Sequence, residues 1–179
     1  MSLQIFILGV LRSGHHHPYD IKKMFKQNVL DENSKINDGT LYYNFEVLLK
    51  KGYIEKIEVI RDDNRPEKTT YGITPLGKEH LQQEIYASFK NFTRVDSLYS
   101  AVLFLKYADP KKLVFLIQEA REKLENKIKN DVSFWETVQD KTPPPVHLIH
   151  DHSINQLQID LKWLQKLEKH VLEQLEEQQ

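Results

Sequence analysis

Residues 37–53 of the chain read NDGTLYYNFEVLLKKGY, and this pattern predicts one helix with a buried face and an exposed face. Asn37 is a favourable N-cap, so the helix should begin at Asp38, and Gly52 is placed to end it. The apolar residues at helical spacing are Leu41, Phe45 and Leu48. The opposite face should therefore meet solvent or a ligand.

The first turn of this helix has an unusual composition for a surface helix. Gly39 allows another molecule to approach closely. The residues that can form hydrogen bonds there are Asn37, Thr40, Tyr42 and Tyr43. In a helix-turn-helix this part of the recognition helix enters the major groove, and helix N-termini attract phosphate oxygens. The alternative is that Tyr42 packs on the neighbouring hairpin and Tyr43 is merely exposed. The combination with glycine favours a DNA-reading surface.

Two shorter helices should precede the recognition helix. The apolar residues from Leu3 to Leu11 cover most of a helix surface, so the first helix should be largely buried, and Gly14 is placed to end it. After a loop containing histidines 15–17, a second helix is predicted over residues 19–26. Its inward residues should be Ile21, Met24 and Phe25.

After the recognition helix the periodicity changes from helix to strand. Ile57 and Val59 share one face of an extended segment. A second segment shows the same alternation at Thr69, Tyr71 and Ile73. The polar residues 61–68 between them predict a hairpin with a long exposed tip. Three helices followed by such a hairpin have the element order of a winged helix-turn-helix.

The remaining sequence predicts helices. Thr74 and Pro75 supply an N-cap and a first-turn residue for one helix, and Asp109 and Pro110 do the same for a longer amphipathic helix. The fold class is therefore mainly α. We expect a winged helix-turn-helix DNA-binding domain over residues 1–90 and an all-helical dimerisation and effector domain over 91–179.

The last predicted helix carries the candidate dimer seam. It follows TPPPV at 142–146, which predicts a stiff connector. An apolar heptad stripe, interrupted by Glu168, includes Ile154, Leu157, Leu161, Leu164 and Val171. The alternative is that this stripe packs only on the helix that begins at Pro110.

Composition narrows the class of protein. The chain has 179 residues, 40% of them hydrophobic and 28% charged, and it contains no cysteine. These values predict a folded cytoplasmic protein without disulfides, and the short apolar run near the N-terminus gives no reason to expect a membrane partner. The formal net charge is −1, so binding to nucleic acid must come from the local placement of charge.

Four pieces of the sequence together resemble one family of bacterial regulators. They are ILGVL, HPYDIKK, DGTLYYNFEVLLKKGYIE and TTYGITPLGKEHL. Over residues 5–81 the chain is similar to the PadR family of transcriptional regulators, with one departure at Pro18, where the family commonly has glycine. The resemblance puts Thr40 and Tyr42 on the family's recognition-helix motif. It puts three further residues on the motif after the wing: Tyr71, Thr74 and Gly77.

The C-terminal half resembles the AphA-like branch of this family, which has several C-terminal helices. The similarity includes the segment from Asp160 to Leu164. The resemblance implies a homodimeric repressor that binds a palindromic operator in double-stranded DNA. It also implies release by a small aromatic effector, although no motif specifies the effector site. No cofactor is expected.

Basic residues flank the predicted reading surface and are candidates for phosphate contacts: Lys22, Lys23, Lys50, Lys51, Arg61, Arg65 and Lys68. The alternative for any of these residues is plain solvation. Arg65 lies at the predicted hairpin tip, where wings reach the minor groove. Acidic neighbours at 62, 63 and 67 favour contact with the DNA backbone over deep insertion.

Three other classes of function have different signatures in a sequence. The segments HHH at 15–17 and HLIHDH at 147–152 suggest a metal-responsive regulator, but their spacing fixes no tetrahedral site and no metal is expected. An enzyme is not expected, because the sequence has no phosphate loop or nucleophile elbow. A winged-helix adaptor that binds only proteins stays open because the charge is nearly neutral.

Overall fold

A computed structural model describes residues 2–27, 37–62 and 65–177, without the side chains of residues 59–68. The elements are α1 (Leu3–Leu11), α2 (Pro18–Gln27), α3 (Asp38–Lys50), β1 (Ile54–Asp62), β2 (Arg65–Ile73), α4 (Pro75–Asn91), α5 (Tyr99–Val102), α6 (Pro110–Val138) and α7 (Pro144–Glu176). The chain forms two compact units, Met1–Ser88 with Asp96–Tyr107, and Phe89–Val95 with Ala108–Gln179. The first has the predicted winged helix-turn-helix order, and the second is helical.

Helix α1 is the buried centre of the first unit. Every residue from Ile5 to Leu11 is buried, as the apolar run predicts. The helix ends at Leu11, however, and not at Gly14. Arg12 keeps a helical conformation, and the hydroxyl of Ser13 donates a hydrogen bond of 2.7 Å to the Val10 carbonyl oxygen. A side chain thus satisfies the helix end, and Gly14 does not serve as its C-cap.

Helix α3 begins and ends as its caps predict. Asn37 Oδ1 accepts a hydrogen bond of 2.7 Å from the Thr40 amide. At the other end Gly52 has a φ of 72°, and its amide donates to the Leu49 carbonyl. The Tyr53 amide donates to the Leu48 carbonyl, which completes a Schellman motif. The predicted core residues Leu41, Phe45 and Leu48 are all buried.

The wing differs from the prediction at its tip. Strands β1 and β2 pair antiparallel from Ile54 opposite Ile73 to Asp62 opposite Arg65. Most of the polar segment 61–68 is therefore strand and not a long loop. Antiparallel strands commonly carry polar side chains on a solvated face, so polar residues are compatible with strand pairing there. Reciprocal backbone hydrogen bonds between His16 and Tyr71, of 3.0 and 3.1 Å, attach the loop before α2 to the wing.

The start of α4 is joined to the base of the wing. Thr74 Oγ1 accepts from the Gly77 amide and donates to the Gly52 carbonyl oxygen over 2.6 Å. A Cβ atom at Gly77 would overlap the Tyr53 carbonyl oxygen, so only glycine fits there. The Tyr53 ring also stacks on His80, with centroids 3.9 Å apart. Backbone contacts thus fix the wing to both α3 and α4.

Residues 96–107 lie beyond the boundary predicted near residue 90, yet they pack within the first unit. The Phe104 ring covers Gly9 of α1, where a Cβ atom would overlap that ring. Phe104 also contacts Phe6 edge-on at 5.8 Å, and the Arg12 guanidinium lies 5.4 Å above the Tyr107 ring. The functional roles assigned to the two predicted domains stay predictions.

The second unit contains the long antiparallel pair α6 and α7. Asp109 caps α6 as predicted, because its Oδ1 accepts from the Lys111 amide at 2.8 Å. The proline segment is not a separate connector. Pro143 is the N-cap of α7, and Pro144 begins the helix. Proline suits the first turn, where the missing amide proton costs no helical hydrogen bond.

Packing of α7 on α6 uses part of the predicted dimer seam. Leu164 and Val171 are fully buried. Glu168, the polar interruption of the stripe, accepts hydrogen bonds from Gln118 Nε2 at 2.9 Å and from Arg121 Nη1 at 3.0 Å. The C-terminal part of the stripe therefore faces α6.

In the portion of the chain that is described, no helix has the length and apolar character needed to cross a membrane.

Candidate nucleic-acid interface

The first turn of α3 is exposed as the sequence predicts. Asn37, Gly39 and Thr40 all lie at the surface, with the Asn37 side chain turned toward the helix end as its cap. A Cβ atom at Gly39 would meet nothing closer than Asn37 Oδ1 at 3.4 Å. Internal packing therefore does not require glycine at position 39. A small residue there leaves the helix backbone open to a molecule from outside.

The two tyrosines of α3 differ in their surroundings. The Tyr43 side chain is 63% exposed, and that of Tyr42 is 47% exposed. Tyr71, from strand β2, packs its ring on Phe45 with centroids 5.0 Å apart. Burial raises the pKa of the Tyr71 hydroxyl, and the nearby Tyr42 and Glu46 raise it further. Tyr42 is therefore close to the wing, whereas Tyr43 points to solvent.

An ion pair links α2 to the reading surface. Lys22 Nζ lies 2.5 Å from Asp38 Oδ1 in the first turn of α3. The Lys22 side chain is only 18% exposed, so this predicted phosphate-binding residue is engaged within the protein. Lys23, in contrast, is exposed. The sequence alone did not indicate that these two adjacent lysines have different roles.

A surface depression on α2 adds residues that the sequence analysis missed. It is lined by Tyr19, Lys22, Lys23, Lys26 and Gln27. The Tyr19 side chain is 65% exposed, and its amide donates to His17 Nδ1 at 3.1 Å, so the loop histidine caps α2. The available signal was the spacing of Tyr19, Lys22, Lys23 and Lys26 on one helical face.

A polar network fixes the position of α3 against α1. Gln4 Nε2 donates to Asn44 Oδ1 at 3.0 Å, and Asn44 Nδ2 donates to the Thr40 carbonyl at 2.8 Å. Both residues are half-buried. Because the network ends at the first turn of α3, it orients the residues that would meet DNA. The Gln4–Asn44 hydrogen bond joins residues 40 positions apart, so no local pattern in the sequence indicates it.

The basic residues of the wing are only partly described. Arg61, Arg65 and Lys68 lie in the paired strands. Their side chains are outside the described part of the structure. Their assignment to phosphate contacts stays a prediction.

The histidine-rich segment of α7 forms contacts within its own unit. His150 Nε2 lies 3.1 Å from Asp131 Oδ2, and its ring stacks on Trp135 with centroids 4.0 Å apart. His147 Nε2 lies 3.1 Å from Thr142 Oγ1 and meets the same indole edge-on. Within the described residues, no three His, Asp or Glu side chains are grouped to hold a metal ion.

The second unit exposes apolar side chains that a partner could cover. On α7 the most exposed of these are Leu148 at 72%, Ile149 at 65% and Ile159 at 60%. Ile154, Leu157 and Leu161 of the predicted seam are half-buried. Leu164 and Val171 have no exposed surface left for a partner in this conformation.

Comparisons with known proteins identify relatives of the first unit and of the whole chain. Residues 7–83 match the model of the transcriptional regulator PadR-like family. A transcriptional regulator from Clostridium thermocellum is 32% identical over 46% of this chain and 77% of its own, with a TM-score of 0.41. The smu.1604c protein from Streptococcus mutans is 26% identical over 98% and 99% of the two chains, with a TM-score of 0.43. Bacillus subtilis PadR in complex with operator DNA is 19% identical over 94% and 98%, also at 0.43. No curated protein matches the chain.

Proposed function

The chain belongs to the transcriptional regulator PadR-like family, and we propose that it is a homodimeric repressor of the cytoplasm that binds a palindromic operator. The observation that carries this proposal is the first turn of α3. It is capped, exposed and open at Gly39, and it presents the hydroxyl and ring of Tyr43 to solvent. This arrangement suits the major groove.

Each tyrosine near the first turn has a distinct task in the proposed complex. The Tyr43 ring contacts a sugar or a thymine methyl group, and its hydroxyl bonds a base or phosphate. The Tyr42 hydroxyl donates to a phosphate.

Local positive charge supplies the sequence-independent part of binding. Lys23 and Lys26 are exposed on α2 beside Tyr19. The basic residues of the wing, Arg61, Arg65 and Lys68, add phosphate contacts on the other side of α3. Contacts of this kind release counterions, so the affinity should fall steeply with salt.

The second unit provides the proposed dimer interface and the effector domain. Exposed apolar residues on α7 and half-buried seam residues such as Leu157 and Leu161 support association with a second copy. A two-fold dimer would present its two α3 helices to half-sites about 34 Å apart on one face of the duplex. Release by a small aromatic effector and membership of the AphA-like branch are parts of the proposal that rest on the family resemblance, since the family match ends at residue 83.

An electrophoretic shift assay tests the proposal directly. The full chain is mixed with the DNA upstream of its own gene and with an unrelated duplex, at two salt concentrations. Tighter binding to the upstream DNA, weakened by salt, supports a regulator. Failure to bind either duplex at low salt supports the adaptor alternative. A thermal-shift screen of small aromatic acids, followed by operator release, tests the effector.

A further inference from the structure

Glu46 places a carboxylate on the surface that the proposed function assigns to DNA. It is exposed on α3, on the same face as Gly39 and Tyr43. From Tyr43 to Glu46 the helix rises by about 4.5 Å, because each residue adds about 1.5 Å. This rise is slightly more than one base-pair step. If α3 lies along the major groove, the two side chains therefore meet neighbouring base pairs.

The two acidic residues of α3 differ in their partners. Asp38 is paired with Lys22, so its charge is compensated within the protein. Among the side chains that the structure describes, Glu46 has neither an ion-pair nor a hydrogen-bond partner. Burial raises the pKa of Tyr71, and the charge of Glu46 contributes to that rise, which places the carboxylate near the wing. No described side chain engages the carboxylate, so it can accept a hydrogen bond from DNA.

An unpaired carboxylate on this surface weakens binding to DNA in general. It repels every phosphate that lies within a Debye length of about 8–10 Å at ordinary salt. Such a residue favours binding only to a sequence that offers it a hydrogen-bond donor. In the major groove the donors are the amino groups of cytosine and adenine. Adenine places its N7 acceptor beside that donor, which repels a carboxylate, whereas cytosine N4 has no acceptor beside it on the same base.

We propose that Glu46 is a specificity-determining residue that accepts a hydrogen bond from the N4 amino group of a cytosine in the operator. This inference rests on the proposed DNA-binding function and names the base that α3 selects. The cytosine should lie next to the base pair that Tyr43 contacts. Glu46 thus excludes other sequences by repulsion and admits one by a hydrogen bond.

The test uses the full chain and a pool of randomised duplex DNA. Bound duplexes are selected and sequenced for wild type, Glu46→Gln and Glu46→Ala. Wild type should select a C·G pair at one position of each half-site. Glu46→Gln should shift that position toward A·T, because a glutamine amide matches adenine N6 and N7. Glu46→Ala should accept any base there. Glu79→Gln, an equal charge change at an exposed residue of α4, should leave the selected sequence unchanged.

Affinity measurements distinguish a base contact made by Glu46 from the general effect of removing its negative charge. For the selected duplex, Glu46→Gln should bind about fivefold or more weakly than wild type, the usual scale for one base contact. For an unrelated duplex it should bind equally well or more tightly, because repulsion is removed. If both affinities rise together, or if Glu46→Gln selects the same base with the same strength, the inference is overturned while the proposed function stands. If wild type selects no sequence and binds no duplex at low salt, the proposed function fails and the inference fails with it.

Discussion

Lys22 Nζ lies 2.5 Å from Asp38 Oδ1, so one ion pair joins the second helix to the first turn of the recognition helix. Asp38 is 68% exposed and Lys22 only 18%. The pair holds a cation close to the reading surface while it cancels the charge of that cation. One candidate cation of the reading surface is thus compensated within the protein.

Asp38→Asn should release Lys22 toward the DNA backbone. We expect tighter binding to unrelated duplex DNA and a salt dependence steeper by about one unit, because one more phosphate contact forms. The loss of stability should be under about 1 kcal/mol, since the pair is partly exposed. Fluorescence anisotropy over a salt series measures the slope, with Glu79→Gln as the control. An unchanged slope would show that Lys22 does not reach a phosphate once it is released.

Tyr43→Ala should separate binding from folding. Its ring is exposed, so the free energy of unfolding should change by under about 0.5 kcal/mol. Operator affinity should nevertheless fall by about 1–3 kcal/mol, the scale of one good contact. Tyr42→Ala is the matched comparison and should also lower stability, because Tyr42 lies close to the wing. Thermal melting and operator titration of both variants test this prediction. Wild-type operator affinity in Tyr43→Ala would remove this residue from the interface.

Replacing Arg61 and Arg65 together with alanine should weaken binding to all DNA alike. Phosphate contacts do not depend on sequence, so operator and random-duplex affinities should fall similarly, and the salt slope should flatten by about one to two units. The measurement is the affinity for both duplexes over a salt series. A selective loss of operator affinity would mean that the wing reads bases.

Leu157→Glu combined with Leu161→Glu should produce monomers, if the half-buried part of the α7 stripe is the dimer seam. Light scattering at micromolar concentration measures the mass, and circular dichroism checks that the helices remain. The paired control is Leu148→Glu with Ile159→Glu, which changes two exposed residues of the same helix. Monomers from the control pair alone would move the interface to their face of α7.

Local chemistry explains why much of the fold was predictable. The caps at Asn37, Gly52 and Asp109 are recognisable because each depends on a side chain or a φ value within a few residues of a helix end. The buried positions Leu41, Phe45 and Leu48 follow from helical periodicity. The same reasoning correctly predicted that the first turn of α3 is exposed, since the face opposite a buried stripe must point outward.

Long-range contacts and permissive segments explain what was missed. Phe104 covers Gly9 across nearly a hundred residues of sequence, and no local pattern indicates that contact. The Gln4–Asn44 hydrogen bond and the Lys22–Asp38 pair have the same origin. The polar residues at the wing tip are compatible with a loop or with a strand, and the prolines at 143–145 are compatible with a connector or with a helix start. Which structure forms there depends on the neighbouring backbone and not on these residues alone.

The joint formed by Gly52, Tyr53, Thr74 and Gly77 fixes the position of the wing against α3. It includes none of the residues that are proposed to read the bases of the operator. It is built from main-chain groups, one hydroxyl and a glycine that leaves no room for a side chain. The distance between α3 and the wing is therefore set independently of the exposed residues that would touch bases. Substitutions at Tyr43 or Glu46 can retarget the protein to another site while its two DNA-facing elements keep the same span.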